Sequence, residues 1–346
     1  MSRTMIRNEI GSEFWDVPLS DTEQIRFPGN TRWFISGTSA LQYILRDAAR
    51  RNHFTRAAVP SWCCSSMIEP FVQQGMKVCF YSVCVDENGL LTCDYTTAPP
   101  CDVTLVLSYF GYACQATKGA PSGILIRDLT HSLFCEKRQD ADYSFGSLRK
   151  WAGFWTGGYA WKQGNWEEKG ALPALDPAYE ALRKGAMESK RRYLEGADDT
   201  KAYLKDFERA EEYLDQCGIM GGSPRDITIA PRFDEAAVRK IRKQNAEILL
   251  KAFRDCALFP TIGDSDCPLF VPILLNRDLR DGLRCWLIDN HVYCPVHWGL
   301  TDLHRLTDAQ RALYEQELSL VCDQRYGATD MDRIVALAKE YLQDRR

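Results

Sequence analysis

The chain of 346 residues lacks any run of 18 apolar residues, and its opening stretch, MSRTMIRNEIGSEF, lacks the apolar core of a secretory leader. Neither a membrane span nor a signal segment is expected. It also lacks an excess of charge of either sign. Lys and Arg number 43 against 47 Asp and Glu, a net charge of −4. Gripping nucleic acid or an anionic membrane takes a cationic excess, so neither is expected as a partner. Internal repeats and low-complexity segments are missing as well, which excludes solenoids and linker-like chains.

Cysteine is not scarce, with 14 residues, but paired spacing is. Cys63 and Cys64 are adjacent, and Cys79, Cys84, Cys93, Cys101 and Cys114 lie in or near apolar runs with no C-x-x-C among them. Zinc sites need short paired spacings so that two thiolates reach one ion. The expectation is reduced, mostly buried thiols in a cytoplasmic protein, with no metal. Apolar residues at 45% and charged residues at 26% are ordinary globular usage. The length suits one large domain and one small.

What is present is an alternation of short apolar runs with helical spacing. GTSALQYILRDAARR (37–51) puts Leu41, Ile44, Leu45 and Ala48 on one helical face. RAAVP (56–60) is a short strand, SSMIEPFVQQG (65–75) a helix closed by Gly75, and MKVCFYSV (76–83) a strand. VTLVLSYF (103–110) and GILIRD (123–128) are apolar on both faces, as strands of a buried parallel sheet are. DYSFG (142–146) and GGYAWK (157–162) extend the same sheet. The pattern predicts an α/β fold with a large, mainly parallel central sheet. Beyond about residue 175 the sequence turns charged and helical. Residues 226–346 read as helix, strand (268–275), helix, strand (291–298) and two terminal helices. The expected division is an N-terminal arm (1–30), a large domain (31–225) and a smaller C-terminal α+β domain (226–346).

Ligands of parallel α/β sheets sit beyond the carboxyl ends of the strands. There stand Asp128, Leu129, Thr130 and His131, and Lys150 follows the next strand. Ser36-Gly37-Thr38-Ser39 opens the first helix. An anion, a lysine and an anion-binding helix start are the three groups pyridoxal 5′-phosphate (PLP) requires: a Schiff-base lysine, a carboxylate on the pyridinium nitrogen, and a phosphate cradle. Trp62, after RAAVP, is placed to stack on a ring.

In family order, SGTSAL (36–41), VPSWCC (59–64), SYFGY (108–112), RDLTHS (127–132), SFGSLRK (144–150) with Gly157-Gly158, RKIRKQN (239–245) and VYCPVHW (292–298) resemble segments of the DegT/DnrJ/StrS aminotransferases. These are PLP-dependent enzymes of fold type I. The resemblance spans residues 33 to 343. It implies that Lys150 is the Schiff-base lysine, Asp128 the pyridinium partner and His131 the contact to the pyridoxal 3-oxygen. It puts Gly37, Thr38 and Ser39 at the phosphate, with Ser147 or Ser144 as the hydroxyl before the lysine. It also implies a homodimer that moves an amino group from an amino acid such as glutamate to a carbonyl substrate, a nucleotide-linked keto-sugar in that family. The chain departs from the family pattern at Thr156, an acidic position there, and at Cys64, where many members carry the stacking aromatic.

Blander readings stand beside each residue. Lys150 alone reads as a surface lysine, Asp128 as a turn cap, His131 as a core histidine, Thr38 and Ser39 as an N-cap, and Trp62 as core packing. Arg325 reads equally as an anion clamp or as a brace for the last helices. Elimination or dehydration on the same scaffold, or a regulatory protein without catalysis, are the functional alternatives.

Overall fold

The computed structural model describes residues 7–113, 115–135 and 141–343, so Cys114 lies outside the described residues. A nine-stranded sheet runs in the order Arg32–Phe34, Gly158–Lys162, Tyr143–Ser147, Ile124–Asp128, Val103–Leu107, Arg56–Pro60, Lys77–Val85, Leu91–Asp94, Ala116–Lys118. Its middle five strands, from Tyr143–Ser147 to Lys77–Val85, are parallel, and Gly158–Lys162 runs antiparallel to both neighbours. Val103–Leu107 is buried at every residue, as a strand covered on both faces must be. The carboxyl ends of Ile124–Asp128 and Tyr143–Ser147 therefore lie side by side and carry Asp128 and the turn to Lys150.

Helix Gly37–Ala48 covers the sheet with the expected face, Leu41, Ile44, Leu45 and Ala48. Two contacts fix it. At its far end Asp47 is fully buried: Oδ1 accepts the N–H of Glu168 (2.6 Å), and Oδ2 accepts from the Tyr143 hydroxyl (2.8 Å) and the Lys162 ammonium (2.9 Å). At its start, Gly158 lies so close to Ser36 that a Cβ there would come within 2.1 Å of the Ser36 carbonyl oxygen. Only glycine fits, which explains half of the Gly-Gly pair.

Past the sheet, helices Pro177–Leu194 and Tyr203–Gln216 pack on each other, the first capped by Asp176. The C-terminal part has its own core, built from helices Glu235–Phe253, Arg277–Asp289 and Ala328–Gln343 around strands Phe270–Leu274 and Glu317–Val321. Three details differ from the sequence-based expectation. Residues 317–321 form a strand between the last two helices, because ELSLV alternates too briefly to stand out beside them. Of 291–298, only Val292–Tyr293 pairs as a strand. Its partner is Ile10–Gly11, in the stretch read as irregular. The N-terminal segment thus packs into the C-terminal core through Ile10. No helix among the described residues is long and apolar enough to cross a membrane. The cysteines described are free thiols.

Burial by itself would raise the Asp47 carboxyl, but the N–H of Glu168, the Lys162 ammonium and the Tyr143 hydroxyl hold it below the ordinary carboxylate range. A depressed folded pKa gives stability that is present above the unfolded value and lost as pH falls through the folded one. Asp47→Asn is expected to cost roughly 3 kcal/mol at neutral pH. The gap to the parent protein should close below about pH 4. Urea midpoints measured from neutral pH to acid check this.

Candidate active site

Two adjoining cavities meet at Lys150. The smaller, about 260 Å³, is lined by Asp128, Thr130, His131, Ser147 and Lys150 from the strand ends. Ser36, Gly37 and Thr38 line it from the helix start, and Cys64, Ser66 and Trp298 from the opposite wall. The larger, about 460 Å³, shares His131, Arg149, Lys150 and Glu211. It runs beneath Gly11–Phe14 toward Tyr293, His297 and Arg325.

Asp128 is buried, and among the described residues it has no ion-pair partner. Oδ1 accepts the N–H of Thr130 at 2.7 Å. Burial pushes its carboxyl up to about 6, against the pull of the Thr130 hydrogen bonds and of the Lys150 charge. His131 is buried between the rings of Phe110 (centroids 5.0 Å apart) and Trp298 (5.5 Å, 24° between planes). Burial, with His297 and Lys150 adding to it, drives its pKa well below the ordinary value, so the ring is neutral. Its Nδ1 is buried without a hydrogen-bond partner. Phe110 reaches its place with φ +54, a strained left-handed backbone for a bulky residue. Lys150 makes no hydrogen bond or ion pair among the described residues. Arg149 beside it pairs with Glu211, which Arg183 also reaches at 3.3 Å.

The helix start presents unpaired backbone donors. The Ser36 hydroxyl caps it by accepting from Ser39 N–H (3.1 Å). The N–H groups of Gly37 and Thr38 have no acceptor within the helix, whose first bond runs from Ala40 N–H to the Ser36 carbonyl (3.1 Å), and both residues line the smaller cavity.

The structure thus brings Lys150, Asp128, His131, Gly37, Thr38 and Ser147 together around one cavity. It leaves three candidates outside the lining. Trp62 stacks on Tyr109 (5.0 Å, 13°) and donates its indole N–H to the His297 carbonyl (2.6 Å). Two residues on, Cys64 reaches the cavity instead, its thiol raised by burial and lying 2.8 Å from the Ser66 hydroxyl. Ser39 turns to the 218–220 loop, where its hydroxyl accepts from Met220 N–H (3.1 Å). Ser144 falls on the wrong parity, because Phe145 and Ser147 of that strand point to the cavity and residues between them point away. The other acids near the strands serve elsewhere: Asp102 caps Thr55 and Arg56, and Asp142 accepts from Leu125 N–H. At the departing Thr156, the acid is supplied from another helix, since Asp226 accepts both its N–H and its hydroxyl (2.7 and 2.9 Å). Arg325 holds Asp323 through two N–H groups and donates a third to the Glu13 carbonyl (3.0 Å), which pins the N-terminal segment over the larger cavity.

Glu211, Glu13, His297 and Trp298 escaped the sequence reading as site residues. Glu211 sits in a charged helix with nothing to mark it. His297 and Trp298 were inside the quoted VYCPVHW, where their chemistry was visible but their direction was not.

Against known proteins, no family model matches the chain, and no curated protein matches it. Solved structures do. The chain is similar to a putative sugar aminotransferase, Spr1654, from Streptococcus pneumoniae in its PLP form (12% identity, 97% of this chain and 99% of that one, TM-score 0.64). It is similar to a DegT/DnrJ/EryC1/StrS aminotransferase from Brucella abortus (15%, 90% and 85%, 0.56). It is also similar to a GDP-4-keto-6-deoxymannose-3-dehydratase, ColD, with bound GDP-perosamine (14%, 89% and 88%, 0.59). The architecture of this chain is therefore fold type I of the PLP-dependent transferases.

A carboxyl raised to about 6 contributes stability that is complete below the ordinary unfolded value and lost as pH rises through 6. In cofactor-free protein, Asp128→Asn should lack this slope. Between about pH 4 and 6 the parent is expected to lose roughly 3 kcal/mol relative to the variant, at about 1.4 kcal/mol per unit. Urea unfolding of both proteins across that range measures it.

Proposed function

We propose that the chain is a PLP-dependent aminotransferase that moves an amino group from an amino acid such as glutamate to a carbonyl substrate of the nucleotide-linked keto-sugar class. The observation that carries this is Asp128. A buried carboxylate with no cationic partner, across a cavity from an unpaired Lys150, suits a protonated ring nitrogen. The unpartnered Nδ1 of His131 and the open helix start at Gly37 and Thr38 fit the ring oxygen and the phosphate of the same group.

When bound, pyridoxal phosphate supplies the electron sink for a carbanion at the substrate carbon. The rest falls to the chain. Lys150 would hold the cofactor through Nζ and, once released, carry a proton at that atom. Asp128 would keep the ring nitrogen protonated. His131, held neutral by burial, would offer Nδ1 to the ring oxygen. Ser36, Gly37, Thr38 and Ser147 would hold the phosphate. The segment Gly11–Phe14 would screen the larger cavity from water, where the amino donor and acceptor would bind. By the same resemblance we propose a cytoplasmic homodimer. A second reading, dehydration, is favoured by the likeness to the ColD dehydratase.

Borohydride reduction of PLP-treated protein followed by peptide mass mapping should place a pyridoxyl group on Lys150. A label on another lysine, or no uptake, defeats the proposal. Conversion of bound PLP to pyridoxamine phosphate by an amino acid tests the donor half-reaction, and whether the carbonyl substrate is released aminated or dehydrated separates transamination from dehydration. Asp128→Asn should still take up the cofactor but slow that half-reaction on the order of 10²-fold or more. An unchanged rate would make Asp128 a turn cap only.

A further inference from the structure

His297 lines the larger cavity and is held by a second buried carboxylate that the proposed chemistry does not use. Glu317 is fully buried at the start of strand Glu317–Val321. Its Oε2 accepts the backbone N–H of His297 at 2.7 Å, and its Oε1 accepts the hydroxyl of Ser319. The two-residue period of the strand puts both side chains on one face, and Ser319 N–H donates to the Pro295 carbonyl (3.0 Å), which keeps that face against 295–297. Ser319 Oγ lies 2.9 Å from His297 Nδ1.

A hydroxyl has one proton to give. Ser319 gives it to the carboxylate, the stronger acceptor, so toward His297 it can only accept. In the neutral ring Nδ1 therefore carries the proton, with Glu317 Oε1 also 3.7 Å from it, and Nε2 carries a lone pair. Nε2 has no hydrogen-bond partner among the described residues and is not sealed off from solvent. The ring is fenced by Phe110 (5.1 Å), Phe270 (5.1 Å) and Trp298 (5.2 Å), with the His131 ring at 5.5 Å, so the lone pair is an acceptor set in a wall of rings. The carboxylates of the same cavity, by contrast, are engaged: Glu9 by Lys201, Glu13 by Arg183, Glu211 by Arg149 and Asp323 by Arg325. A cationic ligand group would find charges already neutralised, whereas a neutral donor finds Nε2 free.

We propose that His297 is a substrate-positioning residue whose Nε2 accepts a hydrogen bond from a hydroxyl of the substrate, with Glu317 and Ser319 fixing the tautomer that makes it an acceptor. The larger cavity then selects a hydroxyl-bearing substrate over its deoxy counterpart. This rests on reading that cavity as the substrate site, but its first test needs no cofactor.

In cofactor-free protein labelled with ¹⁵N at its five histidines, the His297 resonances, assigned by their loss in His297→Phe, should show Nδ1 protonated and Nε2 bare. Ser319→Ala should remove that preference. Glycerol, small enough to enter regardless of the true substrate, should shift the Nε2 resonance, and dimethyl sulfoxide, which has no donor, should not. A protonated Nε2, a tautomer indifferent to Ser319→Ala, or a response to neither or to both additives overturns the assignment. The second test applies to the loaded enzyme. His297→Phe should raise KM for the carbonyl acceptor about tenfold, the worth of one hydrogen bond, with kcat held within about twofold. His297→Gln should recover much of the loss. A fall in kcat at constant KM counts against the proposal. Failure of PLP to label Lys150 would sink the aminotransferase reading while leaving the tautomer measurement intact.

Discussion

The helix Gly37–Ala48 is pinned at both ends to the strands that carry Lys150, and the site exists because of it. Asp47 ties the far end to Tyr143 and Lys162 by hydrogen bonds to a fully buried carboxylate. Gly158 holds the near end by letting the Ser36 backbone approach closer than any side chain allows. Tyr143 begins the strand that ends at Ser147, and Lys150 closes the turn after it. The open N–H groups of the helix and the lysine are therefore fixed relative to each other by the body of the domain rather than by a loop.

Within that frame the smaller cavity concentrates unmet electrostatic demand. Asp128 is a carboxylate short of a cation, His131 an imidazole with an idle nitrogen, and the helix start a set of donors without acceptors. Each is costly where its partner is not met, and on the proposed reading each would be met by one part of a single planar, phosphorylated cation. The convergence of three such deficits around one lysine is a stronger indication than any one of them, since ordinary cores satisfy their buried polar groups.

The C-terminal part and the N-terminal segment supply the other side. Ile10–Gly11 pairs with Val292–Tyr293, and Arg325 fastens Glu13, so the first residues described lie over the larger cavity. Glu317 and Ser319 orient His297 from a strand whose pattern was hidden between two helices. The two cavities are thus lined by parts of the chain that fold around separate cores.

The sequence by itself determined the parallel sheet, the helix after Ser36 and the placement of Asp128, His131 and Lys150 beyond strand ends. These are local properties: apolar runs, an N-cap and order along the chain. Tertiary structure alone decided which neighbours turn toward the cavity. Phe145 and Ser147 face it while Ser144 does not, Cys64 lines it while Trp62 is consumed in stacking on Tyr109, and Ser39 serves a loop. Side-chain direction after a strand end depends on turn geometry and on what packs from elsewhere, here Tyr109 and the His297 carbonyl for Trp62. Glu211, Glu13 and His297 come from segments 60 residues or more from Lys150 in the chain. Their arrival at one site is set by how helices and cores pack, and no local pattern encodes it.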